Sequence, residues 1–421
     1  MGKLFEATCT LDSLHRAWSQ LRHQARRSTW PRIVGEVEQI DAAPLVVLRE
    51  LRQRLVGGDF RFGLKWGYAK RKSGGSRRGI TVHPLRDRIV QRAILNILQT
   101  SDEGLRGTLG EIPAVLGCAT SFAGNPGRGV PEAVALVTAR IAAGDRWVAL
   151  SDVKDFFPRI PRSQVCDYLR SQIDDAAFAD LFEAATATEL ANPEELAGWL
   201  DLFPQSETGV AQGSLLSVLA GNLALRKFDA RLNAAPLTTA RYLDDFAILG
   251  PDEAAVSAGF TAARDELDRL GMTCYLPGDG SQKAWLVPVE KGFDFLGCRI
   301  HPDGVAPSRR AKRQLLDAID GVIAEGRRQI LAFATSGGRR RAEAGYAQVL
   351  AQVDRKIRGW GDAYRFVSNR ASLAQLDRNI DERLARFRRW HSKQTRAAGP
   401  AVRRRIDGVS LLGDTPPGNE T

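Results

Sequence analysis

The sequence predicts an α+β protein, with a β-containing centre between a basic hairpin and a basic helical bundle. Three observations carry this expectation. Residues 239–250, TARYLDDFAILG, are two short β runs meeting at an acidic turn, and another strand pattern runs from Trp147 to Val153. Residues 61–82 place Gly74-Gly75 between short β-like runs, which reads as a hairpin with a flexible tip. After residue 307 the apolar spacing becomes helical, with candidate helices near 308–332, 339–359 and 370–392.

The remaining elements follow in order. Residues 1–56 read as helical: Leu45, Val46, Leu48, Leu51 and Leu55 recur at helical spacing, and Gly57-Gly58 supply the stop. DRIVQRAILNILQ, 87–99, has amphipathic helix spacing. Pro126, Gly127 and Gly129 mark a loop before a helix over 131–143. The strand from Trp147 ends at Asp152 and turns at Phe156-Phe157-Pro158. Residues 162–200 read as helical, with an Ala- and acid-rich section, about 171–208, taken as an insertion. An apolar helix over 214–228 follows Gln212-Gly213, and the tail from 401 reads as mobile beyond its basic cluster.

Composition narrows the class of partner. At 421 residues and 43% hydrophobic the chain can bury a large core and hold two or three domains. No run of eighteen apolar residues and no signal-peptide core are visible, so no membrane is expected. Five scattered cysteines without a CxxC pair argue against a disulfide scaffold or structural zinc and fit a reducing cytoplasm. The net charge of +11 is localised: residues 1–300 hold 36 Lys+Arg against 36 Asp+Glu, and residues 301–421 hold 24 against 13. Between Asp59 and Asp87, eight Lys/Arg occur without an acid. Such regions suit a polyanion, although charge alone is equally compatible with a solubilising surface.

The acidic sites point to chemistry. VALSDVKDFFPRI puts Asp152 at a strand end, and RYLDDFAILG puts Asp244-Asp245 at a hairpin turn. Adjacent carboxylates flanked by Tyr242, Leu243 and Phe246 would repel each other strongly without a cation. Phosphoryl transfer by two metal ions needs such carboxylates, one ion activating a hydroxyl and the other holding phosphates. Mg²⁺ takes hard oxygens and keeps some water, so two or three aspartates with substrate phosphates suffice. A lone Asp-Asp pair is also an ordinary polar turn; the two motifs together, in this order, are much more specific.

At this point the chain resembles a family. RYLDDF resembles the Y-x-D-D box of reverse transcriptases, and SDVKDFFPRI resembles their first catalytic motif. KRKSGGSRRGITVHPLRDRIVQRAIL is similar to their fingers motif, and GRGVPEAV to the loop and helix before the first catalytic strand. AQGSLLSVLAGNLAL resembles the QG-x-x-x-SP…N motif, GFDFLGCRI the FLG primer-grip hairpin and KIRGWGDAYRF the thumb signature. The likeness runs in order from about 65 to 392 and implies a right-hand polymerase fold: fingers, a ferredoxin-like palm and an α-helical thumb. It implies an N-terminal helical extension over 1–60, fingers and palm over 61–306, a thumb over 307–400 and a tail over 401–421.

The resemblance also implies roles. Asp152, Asp244 and Asp245 would be the catalytic metal ligands, with Val153 beside them, for two Mg²⁺ ions that Mn²⁺ can replace. Arg78 would meet the incoming triphosphate, helped by Lys70 or Lys72; the arginine fork suits phosphate. Gln212 and Gly213 would pack beneath the new base pair. Lys283 stands where a lysine near the pyrophosphate is expected, and it reads equally as a loop lysine. Phe157 would exclude a ribose 2′-OH, Phe156 reads more as core, and Asp155 would orient the triphosphate or cap the turn. Tyr242, Leu296, Gly297, Arg309, Arg310, Arg339, Arg340, Arg341, Arg358 and Trp360 would contact nucleic acid.

Ser217 is followed by Val218 where many relatives have Pro, and Leu243 stands where intron-encoded enzymes carry Ala. FLG and RGW resemble the group II intron-like branch, whereas FFPRI resembles retrons. No endonuclease module is seen after the thumb. The implied function is an RNA-directed DNA polymerase with an RNA template, dNTPs and a DNA primer or product as partners. A dedicated non-coding RNA in antiphage defence is the expected setting. An intron maturase and a non-catalytic RNA-binding splicing factor are the alternatives, and oligomeric state stays open.

Overall fold

A computed structural model describes residues 2–72, 75–205, 207–234, 236–335, 345–409 and 411–412. Two compact units emerge, Met1–Pro288 and Val289–Thr421. The first begins with four helices, α1 (Lys3–Thr8), α2 (Leu11–Ala25), α3 (Pro31–Ala42) and α4 (Pro44–Val56). Their limits are local chemistry. The Thr10 hydroxyl accepts from Ser13 N–H to start α2, proline opens α3 and α4, and Gly57 closes α4. Leu14, Ala17, Trp18, Leu21 and Ala25 form one buried stripe on α2, which packs against α5 (Leu85–Leu98).

Between α4 and α5 lies the hairpin of β1 (Trp66–Arg71) and β2 (Arg77–Val82), in register from Trp66↔Val82 to Arg71↔Arg77. Short helices α6 (Glu103–Arg106) and α7 (Ile112–Leu116) precede α8 (Val130–Ala142). Next come β3 (Trp147–Asp152), α9 (Phe156–Arg159), α10 (Arg162–Gln172) and α11 (Ala176–Thr186). After them follow α12 (Ser217–Ala224), α13 (Arg226–Leu232), β4 (Thr238–Tyr242), β5 (Asp245–Gly250), α14 (Glu253–Arg269) and β6 (Trp285–Pro288).

Strands β3 to β6 form one antiparallel sheet in the order β4-β5-β3-β6. With helices between β3 and β4 and between β5 and β6, this is the split β-α-β-β-α-β order of ferredoxin-like sheets. Val148, Ala149, Leu150 and Ser151 of the central β3 are all buried, so its sequence reads as continuous rather than alternating. Helix α14 covers β3 and β5, and α8 covers β4.

Two expectations need correction here. Residues 187–200, read as helical, belong to an irregular segment running to 205, with 3-10 turns at Glu194–Leu196 and Leu200–Leu202. Its backbone lies along the hairpin: Lys65 N–H donates to the Glu189 carbonyl at 2.8 Å, and the Asn192 amide bonds both Gly67 N–H and its carbonyl. Tertiary hydrogen bonds replace helical ones, and Pro193 cannot donate one at all. The helix expected over 214–228 begins at Ser217 and breaks at Leu225, the junction of α12 and α13.

The second unit begins with β7 (Phe293–Phe295), β8 (Cys298–His301) and β9 (Gly304–Pro307), a three-stranded antiparallel meander. It continues with α15 (Arg309–Thr335), α16 (Tyr346–Ala363), α17 (Arg370–Ala397) and α18 (Pro400–Ile406). Its core holds Leu315, Ile319, Ile323, Val349, Val353, Leu376, Ile380, Phe387 and Ile406. Ile406 therefore anchors residues 400–406, which include the basic cluster that opens the expected tail, as a packed helix. Leu296 and Gly297 both have positive φ, +48° and +78°, which makes the β7–β8 connection a two-residue turn of the primed kind.

Candidate active site

The first unit presents a cleft of about 540 Å³ where the hairpin faces the ends of β3 and the β4–β5 turn. Asp152 closes β3 and stands in register opposite Asp245, the first residue of β5. Between Tyr242 and Asp245 the turn consists of Leu243 and Asp244, and Leu243 takes φ +60°, a strained conformation for a branched side chain. The turn is tied to β3 by Val153 N–H, which donates to the Asp244 carbonyl at 3.1 Å.

The Asp244 carboxyl is pushed up to about 7, first by burial and then by the charge of Asp152 and a side-chain hydrogen bond with it. Two carboxyls this close cannot both ionise freely. Asp245 is exposed. Among the described residues no three His, Cys, Asp or Glu side chains already sit close enough to hold a metal ion. The donors themselves are hard oxygens on short side chains, which fits Mg²⁺ or Mn²⁺, with Asp152 and Asp244 as the nearest pair.

Cations line the same cleft. Lys283 Nζ donates to Asp152 Oδ2 at 2.8 Å and lies 4.3 Å from the Tyr275 ring centroid. Burial opposes the charge on Lys283, yet its contacts with Asp152 and Tyr275 outweigh that and raise its pKa. The opposite wall carries Lys72, Arg77 and Arg78 from the hairpin. Arg78 stands in register opposite Lys70, but Lys70 is not among the cleft residues. Arg77 is spent structurally: it donates to the Ala69 carbonyl at 2.9 Å and its guanidinium lies 4.9 Å from the Trp199 ring centroid.

The floor is formed by Val153, Asp155, Phe156, Phe157, Pro158 and Gln212. Phe156 is buried against Gly221, whereas Phe157 is half-buried and reaches the cleft. Asp155 has φ +47° and occupies the N-cap position of α9 without a side-chain cap hydrogen bond. The Gln212 carbonyl accepts from Thr81 N–H at 2.9 Å, which joins the turn before α12 to the hairpin. Gly213, at φ +131°, lies so near that an added Cβ would meet the Thr81 carbonyl oxygen at 2.3 Å.

Other expected residues lie elsewhere. Tyr242 opposes Asp245 in the β4–β5 register but does not line the cleft. Leu296, Gly297, Arg309, Arg310, Arg358 and Trp360 belong to the second unit. There Trp360 stacks on Tyr364, the Tyr364 hydroxyl reaches the Gly297 carbonyl at 3.4 Å, and Arg358 pairs with Asp354 on the surface. Arg339, Arg340 and Arg341 lie outside the described residues.

Sequence reasoning missed Tyr275 and a buried group behind the acidic turn. Tyr275 N–H donates to the Asp152 carbonyl at 3.2 Å, so residues 273–275 run beside the end of β3. Arg241, directly before the Y-x-D-D box, is 1% exposed and bonds Asp229, Asn222, Ser121 and the Leu243 carbonyl. An arginine inside a strand whose neighbours Ala240 and Phe246 are apolar was the available signal.

Residues 70–300 match the family described as reverse transcriptase (RNA-dependent DNA polymerase). The chain belongs to the reverse transcriptase family. Among curated relatives, Protein YkfC of Escherichia coli is 29% identical over 201 residues, 46% of this chain and 47% of that one. An uncharacterized 91 kDa protein in the cob intron of Schizosaccharomyces pombe is 24% identical over 194 residues, 46% of this chain and 21% of that one. The chain thus spans about half the length of the first relative and a fifth of the second. These matches accord with the group II intron-like or retron-like kind suggested by the motifs. A partial Cas6-RT-Cas1–Cas2 complex is similar at TM-score 0.35 and 18% identity, covering 63% of this chain and 43% of that one. No helix among the described residues is long and apolar enough to cross a membrane.

Proposed function

We propose that this chain is an RNA-directed DNA polymerase that extends a primer 3′-OH, or a protein hydroxyl, with dNTPs on an RNA template. The observation that carries the reading is a single cleft shared by Asp152, Asp244, Lys72, Arg78, Phe157 and Gln212, within the stretch that matches the reverse transcriptase family. In this reading the four-stranded sheet is the palm, β1–β2 belongs to the fingers and the helices of the second unit are the thumb.

Asp152, Asp244 and Asp245, with the backbone at Val153, would hold two Mg²⁺ ions, or Mn²⁺ in their place. Bound there, the ions would supply charge stabilisation and an activated hydroxyl. The side chains position the rest. Arg78 forks onto the triphosphate, and of the two candidate helpers, Lys70 or Lys72, it is Lys72 that lines the cleft and adds charge. Lys283 supplies a cation for the leaving pyrophosphate, and Asp155 presents its backbone to the phosphates. Phe157, backed by Phe156, stands where a ribose 2′-OH would clash. Gln212 and Gly213 support the new base pair. Tyr242, Leu296, Gly297, Arg309, Arg310, Arg358 and Trp360 contact the primer and template.

For purpose, we infer a dedicated structured non-coding RNA, held as template or scaffold in antiphage defence in the cytoplasm. The cationic excess of residues 301–421 supports a grip on RNA. The match to a cob intron protein favours a second reading, an intron-encoded reverse transcriptase and maturase. Two measurements test these readings. Purified protein should incorporate dNTPs on a primed RNA with Mg²⁺, and absence of incorporation rejects the polymerase. RNA recovered with the protein from its own cells should be short and non-coding, with a defined cDNA; a spliced intron would instead establish the maturase.

A further inference from the structure

We propose that Arg241 is a positioning residue that sets Asp244 for chemistry through the backbone of the acidic turn. The inference rests on the polymerase reading and concerns a group outside the cleft. Arg241 lies on β4 and is buried, yet all its guanidinium nitrogens are engaged. Nε and Nη2 fork onto Asp229 at 2.7 and 2.6 Å. Nη2 also donates to Ser121 Oγ at 2.8 Å, and Nη1 donates to Asn222 Oδ1 at 3.2 Å and to the Leu243 carbonyl at 3.1 Å. Five bonds match the five N–H donors of the group, so its orientation is fixed by α12, α13 and the loop at Ser121.

The Leu243 contact gives this network a consequence in the site. Leu243 holds φ +60°, a conformation that L residues leave unless their surroundings impose it. Its carbonyl belongs to the peptide unit that continues into Asp244, so the Arg241 bond opposes relaxation of the turn at the point where it aims the carboxyl. The Arg241 backbone is braced as well: its N–H donates to the Thr120 carbonyl, and its carbonyl accepts from Phe122 N–H. Asn222 Nδ2 donates to the Ala123 carbonyl at 3.0 Å, so the same loop orients both ends of the network. Lysine in place of Arg241 keeps the charge beside Asp229 but cannot reach all these acceptors.

The test measures the full chain's single-turnover incorporation rate on a primed RNA, apparent KM for dNTP, duplex affinity and melting temperature. Wild-type incorporation comes first, because its absence counts against the polymerase reading rather than this one. Arg241→Lys should lower the rate about 100-fold, the loss expected when a reacting group is misplaced by an ångström, with KM and duplex affinity within about threefold. Asn222→Ala, the milder variant, should show the same pattern to a smaller degree if Arg241→Lys does not fold. Adding Leu243→Gly, which accepts positive φ without strain, should restore part of the rate. A normal rate in the folded variants overturns the proposal, as does a loss that Leu243→Gly leaves untouched.

Discussion

At Asp152 and Asp244, burial first and then the neighbouring carboxyl raise Asp244 to about 7, and the same closeness makes the pair suited to cations. Asp152→Asn or Asp244→Asn removes one charge-bearing donor while preserving shape. Synthesis should fall by at least ~10³, since charge stabilisation worth several kcal/mol is lost. RNA affinity and melting temperature should stay near wild type, and near-normal incorporation by either variant would sink the assignment. Phe157 offers a second residue-level test. Its ring is half-buried at the cleft while Phe156 is inside the core. Phe157→Ala should therefore raise kcat/KM for a matched rNTP relative to its dNTP, by roughly 10-fold or more; an unmoved ratio places sugar selection elsewhere.

Among the elements, the junction between β2 and the turn at Gln212-Gly213 is the most demanding. Gly213→Ala would force a Cβ onto the Thr81 carbonyl at a φ open almost only to glycine, so a stability loss of about 2 kcal/mol or more is expected, read by denaturant unfolding. Beside it, His83 Nδ1 accepts from Gln91 and Nε2 bonds the Thr81 hydroxyl, the pattern of a neutral ring. Burial, then Lys65 and Arg88, hold its pKa down at about 3, against 6.5 when free. The unfolded chain therefore binds a proton that the native state refuses, and stability from His83 is present above pH 6.5 and lost as pH falls toward 3. Asp87, raised to about 6 chiefly by burial, acts in reverse: its contribution falls as pH rises from 3.8 through 6. Because the His83 shift is larger, the wild-type melting temperature should drop between pH 6.5 and 4 more than that of His83→Gln. Equal slopes would contradict the neutral ring. Element identity here was legible beforehand, since the hairpin, α5 and the Gln212-Gly213 turn carry their own periodicity and turn residues. The irregular support over 187–205 was not, because its short 3-10 turns are held in place by hydrogen bonds to β1 and the residue before it, far away in sequence.

For the whole molecule, the positive charge is distributed by region. The second unit opens its first helix, α15, with Arg309, Arg310, Lys312 and Arg313, with no acid in the first turn. Cations at a helix N-terminus oppose the helix dipole, so a polyanion lying there would relieve an unfavourable arrangement. Replacing Arg309, Arg310 and Arg313 with Gln should weaken RNA binding with little dependence on sequence. The slope of log K against log salt should shrink by roughly 0.7–0.9 per lost phosphate contact; an unchanged slope would return this cluster to a solubilising surface. The sequence alone carried the strand ending at Asp152, the Asp244-Asp245 hairpin, the basic hairpin and the long helices. Each follows from neighbours a few residues apart. Contacts bridging long stretches of chain emerged only on folding: Lys283 with Asp152 across 131 residues, Arg241 with Ser121 across 120, and Asn192 with Gly67 across 125. Such pairs have no period along the chain. They exist because sheet closure brings distant backbones together, and a buried polar group must then find whichever partner the fold has placed beside it.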